Sequence, residues 1–427
     1  MSSMVTLWIW AAVISLILLV AYLIGTWNHD YFTKRNTPCL KTVPFLGNSS
    51  PVFFREITFS QHILNIYVKL RGYKFGGIFE FMKPVLFLRD PKLIKLVTIK
   101  DFEYFTDHQF QYDEDLEPLI NKSLFNLQGQ KWKETRANFC HAFTSKNMKN
   151  MFKLSTKCAD QLLDFLMQYW EGRLPVEIED LLTEYINNII VTSVLGNELA
   201  SSKNTNEVYE MMKKMTDSSE SLVVIFSIQS GFPIKILKMF KIILTTERIN
   251  KFLKCLDKNI LVADKKSSIY PDIIHLLMQT KKIKLQNKKS SSINGKIIMS
   301  EWADKELGAQ VLLFLFYGFN KVSILLSFVS YQLALHPDIQ INLQQEIDNN
   351  LKENGNKLTY EALHNMKYLN MVILETLRLY PSKIYTDRRL YYLDPDKFDP
   401  ERFNEENKDK IKSFTYMPFG LGPRMCI

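Results

Sequence analysis

Glycine and proline are scarce, at 15 residues each in a chain of 427, which excludes collagen-like and low-complexity architectures. Cysteine is scarcer still. Cys39, Cys140, Cys158, Cys255 and Cys426 are odd in number, scattered and in no C-x-x-C pair, which argues against a disulfide framework and a structural zinc site. The globular part is therefore expected to face the cytosol. The seven histidines are too isolated for a metal cluster. No Walker-type phosphate loop occurs, and Gly420-Leu-Gly422 lacks the third glycine and following helix of a dinucleotide turn. No internal repeat is visible.

What is abundant is apolar. A hydrophobic share of 46% over 427 residues can bury one large core or two modest ones. The net charge of +9 is spread along the chain, with lysine-rich stretches at 131–153 and 281–289. No nucleic-acid-binding signature accompanies it. An acidic electron-donor protein, anionic lipid headgroups or ordinary solvated lysines account for it equally.

From Val5 to Ile24 no charge interrupts the chain, and about 20 residues rising roughly 1.5 Å each span a bilayer core. Trp8, Trp10 and Trp27 lie near its ends, as interfacial aromatics do, and Lys34 and Arg35 follow it while nothing basic precedes it. A cleaved signal peptide wants a basic start, a shorter core and a small-residue cleavage site, none of which is clear. Residues 1–27 are read as a signal anchor, followed by a linker stiffened by Pro38 and Pro44 and ending in Phe45-Leu-Gly-Asn48. A second segment, Phe226 to Leu244, sets apolar residues beside Lys235, Lys238 and Lys241. It reads equally as an interfacial helix or as a core helix with a lysine face.

Periodicity predicts helices over 148–170, 178–195, 206–216, 304–335, 337–352 and 367–380. Strands are expected near Phe75–Phe81 and Val85–Leu88, and a surface loop over Lys281–Lys296. The fold class is mainly α with a small β-rich part.

The densest signal is Phe419-Gly-Leu-Gly-Pro-Arg-Met-Cys-Ile427. Pro418 and Phe419 offer an apolar wall, Gly422 lets backbone pass close under a flat macrocycle, and Arg424 can pair with a propionate. Cys426 then supplies a thiolate to haem iron. A free cysteine after a surface turn is the plainer alternative. Trp132 and Arg136 stand one helical turn apart, as do Glu375 and Arg378, and Pro400-Glu-Arg-Phe403 follows downstream.

Together these residues resemble the cytochrome P450 superfamily, whose F-x-x-G-x-R-x-C-x-G loop is matched at Phe419, Gly422, Arg424 and Cys426. Tyr360-Glu-Ala-Leu363 and Pro395-Asp-Lys-Phe-Asp-Pro400 bring it nearest the insect microsomal members. The resemblance implies haem b held by Cys426, with Trp132, Arg136 and Arg424 on its propionates. It also implies a three-charge lock of Glu375, Arg378 and Arg402. The implied reaction inserts one oxygen atom from O2 into a lipophilic small molecule. Electrons would come from NADPH through a flavoprotein reductase, with a small cytochrome as a further donor, at the endoplasmic-reticulum membrane and with no nucleic acid involved. Leu124, Phe125, Phe316 and Tyr317 are the expected pocket walls.

Two departures qualify the resemblance. The family's distal helix carries a small residue, then Gly, any residue, an acid and a threonine. This chain keeps Gly318, which would loosen the helix, but has Tyr317, Asn320 and Lys321 at the other positions. Asn320 cannot ionise, and Lys321 brings a charge into an apolar pocket unless it snorkels or loses its proton. Residues 28–427 are read as the haem domain, with strands missing near residue 390 and a helix missing after 427. Two alternatives follow: a membrane-bound relic that holds haem weakly or not at all, and a haem-thiolate isomerase or dehydratase that needs no external electrons.

Overall fold

The structure, a computed structural model, describes residues 2–108, 121–140, 142–172, 175–195, 210, 213, 299–381 and 391–427. The segments expected at 206–216 (apart from 210 and 213), Phe226–Leu244 and Lys281–Lys296 lie outside them. Helix α1, Ser2–Thr26, is long and apolar enough to cross a membrane, and Met4 through Val20 are exposed.

The linker after α1 is tied down rather than free. The Phe45 amide donates to the Gly25 carbonyl at 3.1 Å, and its ring lies where a side chain on Gly25 would stand. Asn48 accepts from the Phe79 amide at 2.8 Å and donates to the Lys41 carbonyl at 2.8 Å. Gly47, at φ +58, passes so close to the Phe79 and Phe81 carbonyls that a Cβ would lie 2.4 Å from each.

That linker rests on the antiparallel hairpin of β1, Phe75–Glu80, and β2, Lys83–Leu88. Both expected strands are present. Phe81 in the two-residue turn takes φ +54, a strained value for a bulky side chain. Burial of its ring offsets that cost. Helix α2, Phe59–Lys69, opens on a capping box of Thr58 and Gln61, satisfying two otherwise orphaned amides. Its Ile66, with Leu70, packs on Ile78 of β1.

The helical body comprises α3, Gly129–Cys140; α4, Ser145–Gly172; α5, Ile178–Leu195; α6, Met299–Leu335; α7, Pro337–Glu353; and α8, Lys367–Leu379. The bounds from periodicity agree closely, because long apolar stripes set the packing faces. Pro337 lacks the amide that would continue α6, and the chain turns by 113° into α7. Glu346 of α7 accepts the Tyr368 and Leu369 amides at 2.8 and 2.9 Å, capping the start of α8. Ile339, Val372, Leu379 and Phe398 form the core between these helices and the C-terminal segment.

From Tyr392 to Ile427 the described backbone has only short single-turn helices, so side chains must fix its course. Glu375 is fully buried and takes Arg378 Nε at 2.6 Å, Arg378 Nη2 at 2.8 Å and Arg402 Nε at 3.3 Å. It also accepts the Asp399 amide at 2.8 Å. The arginines pass the hold onward: Arg378 donates to the Pro395 and Lys397 carbonyls, and Arg402 to those of Leu393 and Asp394. The three-charge arrangement is thus formed. We predict that Glu375→Ala, which strands a buried guanidinium, costs about 3–5 kcal/mol. Arg402→Ala should cost less, since that side chain is 12% exposed and its bond to Glu375 is longer. Thermal unfolding of the two variants checks the order; equal losses would contradict it.

Candidate functional site

The segment fixed by Glu375 leads to the cysteine loop. Tyr416 donates its hydroxyl to the Leu374 carbonyl at 3.0 Å, and burial pushes that phenol far above its ordinary range. Gly420 and Gly422 then take φ +83 and +73, values that glycine adopts without strain. The Cys426 amide closes the loop on the Phe419 carbonyl at 2.9 Å. Cys426 is free and exposed at the loop's end, and Phe419 across from it is 52% exposed.

Gly422 has a close neighbour from a distant segment. A Cβ there would lie 1.9 Å from the Thr98 carbonyl, so the glycine admits backbone of the Leu96–Lys100 turn. The loop is seated on that turn.

Helix α3 supplies the second wall. Trp132 is buried with Leu124 and Phe139, against Phe314 and Leu313 of α6. The Arg424 guanidinium lies over its indole, 4.2 Å from the ring centroid. Arg424 donates Nε to the Thr106 carbonyl at 2.8 Å, Nη1 to that of Phe125 at 3.3 Å and Nη2 to that of Leu127 at 2.8 Å. A further bond runs from Nη2 to Asp107 Oδ1 at 3.3 Å. Burial pulls its pKa down, Asp107 pushes it back up, and Arg136 adds a smaller repulsion. Arg136, one turn after Trp132, reaches the Cys426 carbonyl from Nη2 at 3.5 Å. Trp132, Arg136, Arg424 and Cys426 are therefore neighbours.

One face of α6 covers the same region. Gln310, Phe314, Tyr317 and Lys321 recur at fours and threes and so share that face. Gln310, buried, accepts the Leu124 amide at 2.8 Å and donates to the Lys122 carbonyl at 2.6 Å, clamping the segment before α3. Phe314 packs on Phe139 and Phe143, and the Tyr317 ring lies 5.8 Å from that of Phe125. Burial pushes the Tyr317 phenol up to about 12, so it stays neutral. Lys321 is half-buried and desolvation lowers its pKa, as expected for an ammonium taken out of water.

Gly318, Leu124, Phe316 and Asn320 complete the set expected from the sequence. Gly318 faces Ile190 of α5, where a Cβ would come within 2.6 Å of Cδ1. Its small size lets α5 and α6 pack closely there. Leu124 is a core residue rather than a pocket wall, packed beside Trp132. Phe316 and Asn320 lie on α6, but their side chains are outside the described residues. Gln310, Thr98 and Asp107 were not singled out from the sequence. Gln310 alone carried a signal, as a lone amide in the apolar run from Ala309 to Phe316.

The donor set fits a haem. A free thiol stands at the end of a glycine-turned loop, flanked by two guanidinium groups that can meet anionic propionates. The family model described as Cytochrome P450 matches residues 38–391 and 382–427, two segments that overlap at 382–391, where nine residues fall outside the description. Cytochrome P450 9e2 of Blattella germanica is 46% identical, aligned over all of this chain and 89% of its own length. That alignment takes 477 positions for 427 residues, so the relative carries residues that face none here. Probable cytochrome P450 9f2 of Drosophila melanogaster is 31% identical over 99% of this chain and 89% of itself. Cytochrome P450 3A16 of Mus musculus is 31% identical over 97% and 85%. With the cysteine loop, the buried lock and the paired arginines already in place, these matches show that the chain belongs to the cytochrome P450 family of haem-thiolate monooxygenases.

Proposed function

We propose that this chain binds haem b through Cys426 and oxidises a lipophilic small molecule at the endoplasmic-reticulum membrane. Residues 1–27 are its anchor and residues 28–427 its cytosol-facing haem domain. The observation that carries the reading is the free Cys426, whose carbonyl Arg136 reaches, with Arg424, two residues before it, stacked on Trp132. When bound, a haem-thiolate centre supplies oxygen activation, the thiolate's electron donation favouring O–O cleavage. The protein's own residues hold and cover it. Arg136 and Arg424 offer positive charge to propionates, and Trp132 backs them with an apolar plate. Phe125 and Tyr317 line the covering face with rings that exclude water and favour an apolar substrate. Electrons are assigned to NADPH through a flavoprotein reductase and a small cytochrome; the net charge of +9 supports docking of an acidic donor.

The covering face also supports a second reading, a protein that holds haem but oxidises poorly. Lys321 stands one turn beyond Tyr317 where the family has a hydroxyl, and the family match falls into two segments that overlap at 382–391. Neither Lys321 nor Asn320 reproduces an acid and hydroxyl pair able to pass protons, so electrons should leak to peroxide.

Three measurements separate these readings. The reduced carbon-monoxide complex should show the red-shifted Soret band of thiolate ligation, and Cys426→Ser should abolish it. An unchanged band in the serine variant would remove Cys426 from the metal. The protein should sediment with microsomes, with residues after 36 open to protease; protection of those residues would overturn the orientation. Asn320→Asp with Lys321→Thr should raise product formed per NADPH consumed and lower peroxide release. Equal coupling in the unaltered chain would show that Lys321 does not face the reaction.

A further inference from the structure

Arg424 is held by three neutral carbonyls and by one charged partner among the described residues, Asp107. The same oxygen of Asp107, Oδ1, also accepts the Gly129 amide at 2.9 Å. Gly129 is the first residue of α3 and takes φ +51. It lies three residues before Trp132 and seven before Arg136. One carboxylate oxygen thus joins the cysteine loop, through Arg424, to the start of the helix that carries the other two candidate propionate partners.

The charges make the junction more than a tether. Arg424 and Arg136 lie near enough to repel, and Asp107 offsets one of the two positive charges. The pair plus Asp107 leaves one net positive charge, while the pair alone leaves two. A second positive charge beside the cysteine loop would favour reduction of any metal held there. The Asp107 carboxylate is 35% exposed and Arg424 10% exposed, so part of this effect is screened by water.

We propose that Asp107 is a positioning residue for the haem-thiolate site, setting the approach of α3 to the cysteine loop through Gly129 and balancing Arg424. The proposal rests on the haem-binding reading above and deepens it. No side chain of Asp107 need touch the haem for this role.

Asp107→Asn keeps the size of the side chain and removes its charge, and Asp107→Glu keeps the charge but lengthens the reach. In the full-length haem-free chain, hydrogen–deuterium exchange of the peptide spanning Gly129 to Trp132 should quicken in both variants. Haem titration should show about tenfold weaker uptake for Asp107→Asn, the scale on which outer partners of a metal site act. The reduction potential of the loaded protein should rise in Asp107→Asn and return to the original value in Asp107→Glu. Unchanged exchange, uptake and potential in Asp107→Asn would overturn the proposal. If no version takes up haem, the functional reading fails, and the exchange at Gly129 still decides whether Asp107 holds α3.

Discussion

A stretch of backbone with no long helix and no strand cannot hold a reactive side chain in place by its own hydrogen bonds, and Cys426 ends such a stretch. Its course from Tyr392 onward is fixed at separate points by side chains. Glu375 gathers Arg378, Arg402 and the Asp399 amide; Tyr416 bonds to α8; Gly422 lets the loop settle on Thr98; Arg424 ties it to the segments around 106 and 125–127. The first of these is the most deeply buried. A carboxylate removed from water is tolerable only when its acceptors are filled, and here four donor bonds fill them. Once the charges are paired, the two arginines can give their remaining hydrogens to carbonyls that no helix would satisfy.

Helix α6 meets α3 and the segment before it through aromatic and amide contacts rather than through charge. Gln310 pins the segment before α3, Phe314 packs on α3 itself, and Tyr317 meets Phe125, whose carbonyl in turn receives Arg424. Phe328, two turns beyond Lys321, stacks on Tyr380 at 3.9 Å, and Gln332 donates to the Tyr380 hydroxyl. The face of α6 toward the site is thereby fixed on both sides of Lys321. The depressed pKa of that lysine reflects its half-burial.

Much of this was legible in the sequence. Helix α5 coincides with the predicted 178–195, since its apolar period is unbroken, and the lock could be named from Glu375-Thr-Leu-Arg378 and Pro400-Glu-Arg-Phe403 once the resemblance was recognised. What could not be read were close approaches between distant segments. Gly422 against Thr98 and Gly318 against Ile190 are set by tertiary packing, and a glycine does not announce its neighbour. Asp107 carries no local signal either, because its two partners lie 22 and 317 positions away.

The central claim is that this pinned segment delivers one particular thiol to haem. Alkylation of the full-length chain followed by peptide mass spectrometry, with and without stoichiometric haem, tests it directly. Cys426, Cys39 and Cys140 are all exposed and should all react in the haem-free chain. With haem, Cys426 alone among the three should be protected. Equal labelling of Cys426 in both conditions, or protection of Cys140 in its place, would contradict the account.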